Sequence, residues 1–238
     1  MNSSGNIKIL GLNGSPKKNG NTYTLMSWVL EGCKQAGAKI ELIHVRDFNI
    51  TYCQGCHSCL RTGECIIQDD LVEVYQKLNG ADGIVVGSPV YSGEPTGYLK
   101  ILIDRLTLLK LYSDILNSQN SVGVTTSGIA PTKKLAKRIA NFFGRRVGII
   151  GVKTASIKRG YQSLNNMNNG KILEKENTLG KTLVESIKNN HHPRTLFYWW
   201  ITFLRKHLLS RVIKNSPEQF SSVIPIWKKK DWFKIKNR

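Results

Sequence analysis

The sequence predicts an α/β fold, a doubly wound five-stranded parallel sheet with a helical C-terminal extension. Short, almost uninterrupted apolar runs recur along the first two thirds of the chain, and stretches of helical period separate them. That alternation is the pattern of right-handed βαβ crossovers, in which both faces of each strand are covered. The loops after several of these runs are rich in Gly, Ser and Thr, as expected where a ligand meets the carboxyl edge of such a sheet. A length of 238 residues suffices for one sizeable domain plus an extension.

The first run, Ile7 to Leu12, reads as a buried strand, and the loop 13–22 leads from it into a helix over about 21–36. Leu25, Trp28, Val29 and Gly32 share one face of that helix. A strand, a hydroxyl-rich loop and a helix N-terminus together make an anion site, with Ser15, Asn21 and Thr22 as side-chain donors and Lys17 as charge. An ordinary βα loop with a capping Asn or Thr would read the same way. The loop is neither a Walker loop nor G-x-G-x-x-G. Residues 39–45 alternate as a second strand, and Asp69-Asp70 can cap a helix over about 70–79. A third strand at 82–87 runs through the loop 88–95 into a helix from about 96 to 110. A fourth strand at 121–126 is followed by Ser127-Gly128 and a basic helix near 132–143. A fifth strand at 147–154 and a helix at 171–189 complete the pattern. Three loops, 13–22, 88–95 and 126–130, therefore lie at one edge, and all three carry Gly with Ser or Thr.

Between the second strand and the helix at 70–79 stand Cys53, Cys56, Cys59 and Cys65, spaced C-x2-C-x2-C-x5-C. Four thiolates so close in sequence can converge on one zinc ion or one cubane iron–sulfur cluster, and the spacing is nearer to cluster habit. A disulfide-bonded loop or a set of free thiols would use the same residues. His57 reads as an exposed loop histidine, although a metal or sulfur contact is open to it. His191-His192, before Pro193, reads as part of a turn, and Cys33 as a small buried apolar residue. Asp104 and Arg105 read as a structural ion pair or a subunit contact rather than as catalytic groups.

The formal net charge of +19 is uneven: residues 131–160 and 191–238 each carry a net +9, and the rest is nearly neutral. No signal-like segment opens the chain and no run reaches the ~18 apolar residues of a membrane span, so an intracellular, cytoplasmic protein is expected. Reduced cysteines there favour metal or redox chemistry over disulfides. No nucleic-acid-binding motif accompanies the basic segments. Residues 1–190 are expected to form the main domain, including the cysteine loop 53–65, and 191–238 a basic, aromatic helical extension. Within the extension, 196–213 is apolar over a wide arc with a basic remainder, which suits peripheral contact with a membrane or packing on the main domain or a partner. Packing is preferred, because a doubly wound sheet needs helices on both faces.

Gly14-Ser15-Pro16 with Gly20-Asn21-Thr22, Ser88-Pro89-Val90-Tyr91 and Leu99-Lys100 with Asp104-Arg105 resemble the flavodoxin-like NAD(P)H-dependent FMN reductases. The cysteine run with Asp69-Asp70 resembles the iron–sulfur flavoprotein branch of that superfamily, over roughly residues 6–155. The ending from Ile226 to Trp232 resembles the tail of clostridial-type relatives. The resemblance implies that Ser15, Asn21 and Thr22 hold the FMN phosphate, with Pro16, Lys17 and Asn19 in the same loop. It places Pro89, Val90, Tyr91 and Ser92 along the isoalloxazine and Thr126, Ser127 and Gly128 on its other side. It implies a [4Fe–4S] cluster on Cys53, Cys56, Cys59 and Cys65, NAD(P)H as a co-substrate, and a homodimer or homotetramer. The expected function is electron transfer between a reduced donor and an acceptor, each a small molecule or a protein, by FMN and the cluster. The alternatives are a cluster-free NAD(P)H-dependent reductase of flavin, quinones or nitro-compounds, and a non-enzymatic electron carrier or membrane-associated flavin-binding module. Hydride transfer to a flavin needs no acid–base residue, and none is assigned.

Overall fold

Lys8–Asn13 forms β1, with every residue after Lys8 buried, because helices cover the strand on both sides. The computed structural model describes residues 7–112, 116, 119–156, 160–164, 170–190, 203 and 205–229. The remaining strands of the main sheet are β2 (Lys39–His44), β3 (Gly83–Pro89), β4 (Asn120–Ser127) and β5 (Arg145–Lys153). They lie in the order β2-β1-β3-β4-β5, and every pairing is parallel. The order reverses between β1 and β3, which opens a crevice at their carboxyl ends. A two-stranded antiparallel hairpin follows β5, made of β6 (Ala155–Ser156) and β7 (Gly160–Tyr161). This hairpin is not legible in the residue pattern, since two-residue strands have no period to read.

The helices are α1 (Asn21–Gln35), α2 (Ser58–Thr62), α3 (Leu71–Asn79), α4 (Gly97–Tyr112), α5 (Lys133–Phe143) and α6 (Gly170–Lys188). Alternate strand residues feed two cores. Leu10, Leu12, Ile84 and Val86 meet leucines of α3 and α4 and the apolar face of α5. Ile9, Val85, Val122, Val124 and Ile150 meet α1 and α6. Each fully buried Leu, Ile or Val contributes roughly 1.5–3 kcal/mol relative to exposure. Helices α1 and α6 touch backbone to backbone. A Cβ on Gly32 would fall 2.1 Å from the Asn177 carbonyl oxygen, and one on Gly180 2.0 Å from that of Val29. Cys33 is buried at this crossing and its Sγ meets the Gly180 carbonyl at 3.3 Å, in keeping with an inert apolar role.

Asp70 stands at the N-cap of α3 without a side-chain cap bond, and Asp69 Oδ1 accepts the Leu71 N–H instead. Of the extension, Arg205–Leu209 is π-helical, and Ser210–Asn215 and Val223–Lys229 are α-helical, with a 3₁₀ turn at Pro217–Phe220 between them. Ile213, Phe220, Val223 and Trp227 bury themselves against Leu60 of α2, with Leu108 of α4 at the margin. The His191-His192 turn, the aromatic run 196–202, the end at 230–238 and the boundary at 190/191 lie outside the described residues. Among the described residues no helix is long and apolar enough to cross a membrane.

Candidate functional site

Asn13 closes β1 fully buried and shapes the loop after it: its Oδ1 accepts the Ser15 N–H at 2.9 Å and its Nδ2 donates to His44 Nδ1 at 3.0 Å. Ser15 Oγ then accepts the Lys17 N–H at 3.1 Å. Thr96 Oγ1 donates to the Gly14 carbonyl and Arg46 to that of Pro16. The loop is thus built before any ligand arrives. Gly20 is the N-cap of α1 and supplies no side chain. The first N–H groups of that helix have no intrahelical partner, and they open beside Gly20, Asn21 and Thr22 on a cavity of about 370 Å³.

The same cavity is walled by Ser15, Pro16, Lys17 and Asn19 from the first loop, by Pro89, Val90 and Tyr91 after β3, and by Thr126, Ser127 and Gly128 after β4. Twelve of the thirteen residues named from the sequence therefore meet here. Ser92 does not line it. Ser92 (φ 50°) and Gly93 (φ 83°) form the left-handed tip of a turn closed by Tyr91 and Glu94, whose backbones exchange two hydrogen bonds of 2.9 Å. Two of the expected donors are already engaged. The Asn21 amide holds the chain after β7, donating to the Gln162 carbonyl at 3.1 Å and accepting the Leu164 N–H at 2.9 Å. The buried hydroxyls of Thr22 and Thr126 meet at 2.7 Å. Thr154, Tyr161, Gln162 and Ser163 complete the wall, and sequence reasoning missed them. Thr154 follows directly on the fifth strand, so the rule that singled out the other strand ends applied to it as well.

The cysteine loop lies on the α3–α4 side. Gly55 (φ 66°) and His57 (φ 59°) turn the chain between the first three cysteines, and His57 is exposed as the N-cap of α2. No cysteine is in a disulfide; Cys53 and Cys56 are exposed, Cys59 and Cys65 half-buried. Burial pushes the Cys59 thiol up, and the neighbouring Cys65, Cys53 and Cys56 push it further, so the four sulfurs share one electrostatic neighbourhood. The backbone N–H and hydroxyl of Ser58 pull the Cys56 thiol below its ordinary value. The donor set, four sulfurs on one surface loop, suits an iron–sulfur cluster or zinc. Among the described residues no three Cys, His, Asp or Glu side chains stand ready-made as a ligand set. The C-terminal segment touches this loop: Ser222 Oγ donates to the Leu60 carbonyl at 2.8 Å and Ser221 Oγ to that of Arg61 at 2.8 Å.

Asp104 and Arg105 do not pair with each other. Asp104 meets Lys100 at 2.7 Å on the surface, whereas Arg105 turns inward to Asp69 at 2.7 Å, with both side chains at most 4% exposed. Burial pushes the Asp69 carboxyl up, but the Arg105 guanidinium and the N–H groups of Thr51 and Leu71 outweigh it and hold the carboxyl below its usual range.

The model of the NADPH-dependent FMN reductase family matches residues 7–162. The chain belongs to that family. It stands in the iron–sulfur flavoprotein branch of that family, with an iron–sulfur flavoprotein of Methanocaldococcus jannaschii 36% identical over 138 residues, a match covering 58% of this chain and 72% of that relative. It is 40% identical over 123 residues to an iron–sulfur flavoprotein of Archaeoglobus fulgidus, a match covering 52% of this chain and 60% of that relative. A second iron–sulfur flavoprotein of the same organism is 25% identical over 224 residues, covering 94% of this chain and 99% of the relative. A solved flavone reductase superposes with a TM-score of 0.60 at 18% identity, covering 79% of this chain and 66% of the other, a likeness of fold. The family match ends at Gln162, within the segment that closes the cavity.

Proposed function

We propose that this member of the family is an FMN-dependent oxidoreductase that passes electrons between a reduced donor, NAD(P)H or a ferredoxin-type carrier, and an acceptor. In this reading the cavity at the carboxyl edge holds FMN, and Cys53, Cys56, Cys59 and Cys65 hold a [4Fe–4S] cluster. The observation that carries it is the convergence of four strand-end loops, bearing hydroxyl and backbone N–H donors, on one cavity at the β1/β3 switch point. FMN, when bound, supplies two-electron hydride chemistry together with one-electron release, and a cluster accepts one electron at a time.

The chain's own residues supply positioning and electrostatics. The start of α1 and the loop 15–20 offer N–H groups to a phosphate, and Lys17 offers charge. Among the described residues Lys17 has no carboxylate partner. Val90 and Tyr91 form one flank for a flat ring and Gly128 the other; a Cβ on Gly128 would lie 3.3 Å from Tyr161 Cε2, so the tyrosine rests close against the glycine. Thr126 and Ser127 present hydroxyls beside that flank, although Thr126 is shared with Thr22. Half-burial of Cys59 and Cys65 keeps water from part of the sulfur set, which tunes a cluster's potential.

Anaerobic purification with flavin, iron and sulfide analysis tests the proposal. One FMN with about four irons and four sulfides per chain is expected. A colourless protein that stays colourless in FMN overturns the whole reading. Bound FMN without iron or sulfide, in a protein that oxidises NAD(P)H with a quinone, establishes the cluster-free reductase instead. The exposure of Cys53 and Cys56 favours that second reading.

A further inference from the structure

We propose that Arg105 is the positioning residue of the cysteine loop, a buried guanidinium that clasps both stems of the loop and donates an N–H to the sulfur of its last cysteine, Cys65. The inference rests on the cluster reading above for its redox consequence, but the clasp itself stands on geometry alone. Arg105 is 4% exposed on α4, whose Leu99, Leu102 and Leu106 are fully buried in the core, so its Cα is anchored by core packing. Its Nη1 donates to the Thr51 carbonyl at 2.6 Å, on the stem before Cys53. Its Nη2 donates to Cys65 Sγ at 3.3 Å and to the Ile67 carbonyl at 3.4 Å, on the stem after the last cysteine. Asp69 holds the guanidinium in both directions, with contacts of 2.7 and 3.2 Å, and its Oδ2 also accepts the Thr51 N–H at 2.9 Å. The two stems are therefore joined twice, once through the cation and once through its carboxylate.

A clasp made only of the ion pair and carbonyls would be structural. The bond to sulfur adds a chemical role, because an N–H donated to a ligand sulfur stabilises the more negative, reduced state of a cluster and raises its potential. The planar fork of Arg reaches several acceptors at once, which a Lys ammonium on a flexible stem does not. The Arg105 Nε is buried with no partner among the described residues, so the side chain is held here at the cost of one unsatisfied donor.

Arg105→Lys and Arg105→Met test this against the unaltered protein, each prepared metal-free and after anaerobic reconstitution, with FMN binding as the control for folding. In the metal-free proteins, protease cleavage within 51–69 is expected to quicken several-fold in Arg105→Met and less in Arg105→Lys, with FMN stoichiometry unchanged. After reconstitution, Arg105→Met is expected to lose most of its iron and sulfide. Arg105→Lys is expected to keep them with a midpoint potential shifted to more negative values, read by redox titration followed by electron paramagnetic resonance. Unchanged cleavage together with an unchanged potential overturns the proposal. If Arg105→Met fails to bind FMN, Arg105→Lys decides by the same two readouts. If the unaltered protein takes up no iron or sulfide, the cluster reading falls, and cleavage of the metal-free proteins alone upholds or overturns the clasp.

Discussion

Glu176 lies 1% exposed on α6, and burial pushes its carboxyl up to about 8 against the opposing charge of Lys175. The folded protein therefore keeps this acid protonated near neutrality, while the unfolded chain ionises from about pH 4.3 upward. Stability is unaffected by the group below that value, falls as pH climbs towards the folded pKa, and levels off beyond it. Glu176→Gln is expected to raise Tm by several degrees at about pH 8 and to leave it nearly unchanged at about pH 4, which calorimetry at the two pH values checks. The Thr22–Thr126 pair makes a second residue-scale prediction. Removing one hydroxyl strands its partner in a buried site and is expected to cost about 1–3 kcal/mol, whereas the double change to Val costs less than the two singles together. Urea melts of the flavin-free proteins measure this. Lys17→Ala is expected to weaken FMN binding roughly tenfold, about 1.4 kcal/mol, and to leave riboflavin binding unchanged, since in the proposed site the charge would meet the phosphate that riboflavin lacks. Of the residues around the cavity, those after the first, third and fourth strands were legible because each sits in a Gly- and hydroxyl-rich loop. Gln162 and Ser163 were not, because they reach the cavity through a hairpin too short to leave a pattern. Arg105 and Asp69 stand 36 residues apart with no periodicity between them, so their pairing became visible only in three dimensions.

At the scale of elements, the cysteine loop is held from two sides. Arg105 and Asp69 close its base, and the segment 216–229 packs on α2 through Phe220, Val223 and Trp227. Trp227 is fully buried, and Trp227→Ala is expected to cost about 3–5 kcal/mol in that small core. Since Trp227 packs in the cluster around Leu60 and does not line the cavity, FMN stoichiometry should hold while cleavage near Arg61 quickens, a split that titration and limited proteolysis resolve. The depressed pKa of Asp69 sets the acid limit of the loop. Its contribution is present above the unfolded value of about 3.9 and is lost as pH falls through the lower folded value. The short helix inside the loop was missed in the sequence because five residues cannot show a helical period. The helices of the sheet were legible to within about a turn because each carries an apolar face of several turns.

For the molecule as a whole, the sheet was legible because a doubly wound topology buries both faces of its inner strands, which turns each into a plain apolar run. The order of the strands was not in those runs, since every strand of this kind reads alike; it comes from which helices cover which face. Leu10 and Ile9, adjacent in sequence, feed opposite cores. The basic excess is divided between the scaffold, where it sits in α5 and β5, and the segment 191–238. Arg138 of α5 pairs with Glu94 at 2.7 Å, but both partners are half exposed, so the pair contributes little.

Asn21 opens α1, yet its amide grips residues 162 and 164, more than 140 positions downstream. A single side chain therefore staples the start of the scaffold to the stretch where its last strands have ended. A chain cut at Gln162 would keep every strand but surrender half of that staple, and a piece that keeps the staple whole and its second core covered must run on through Leu164 and α6.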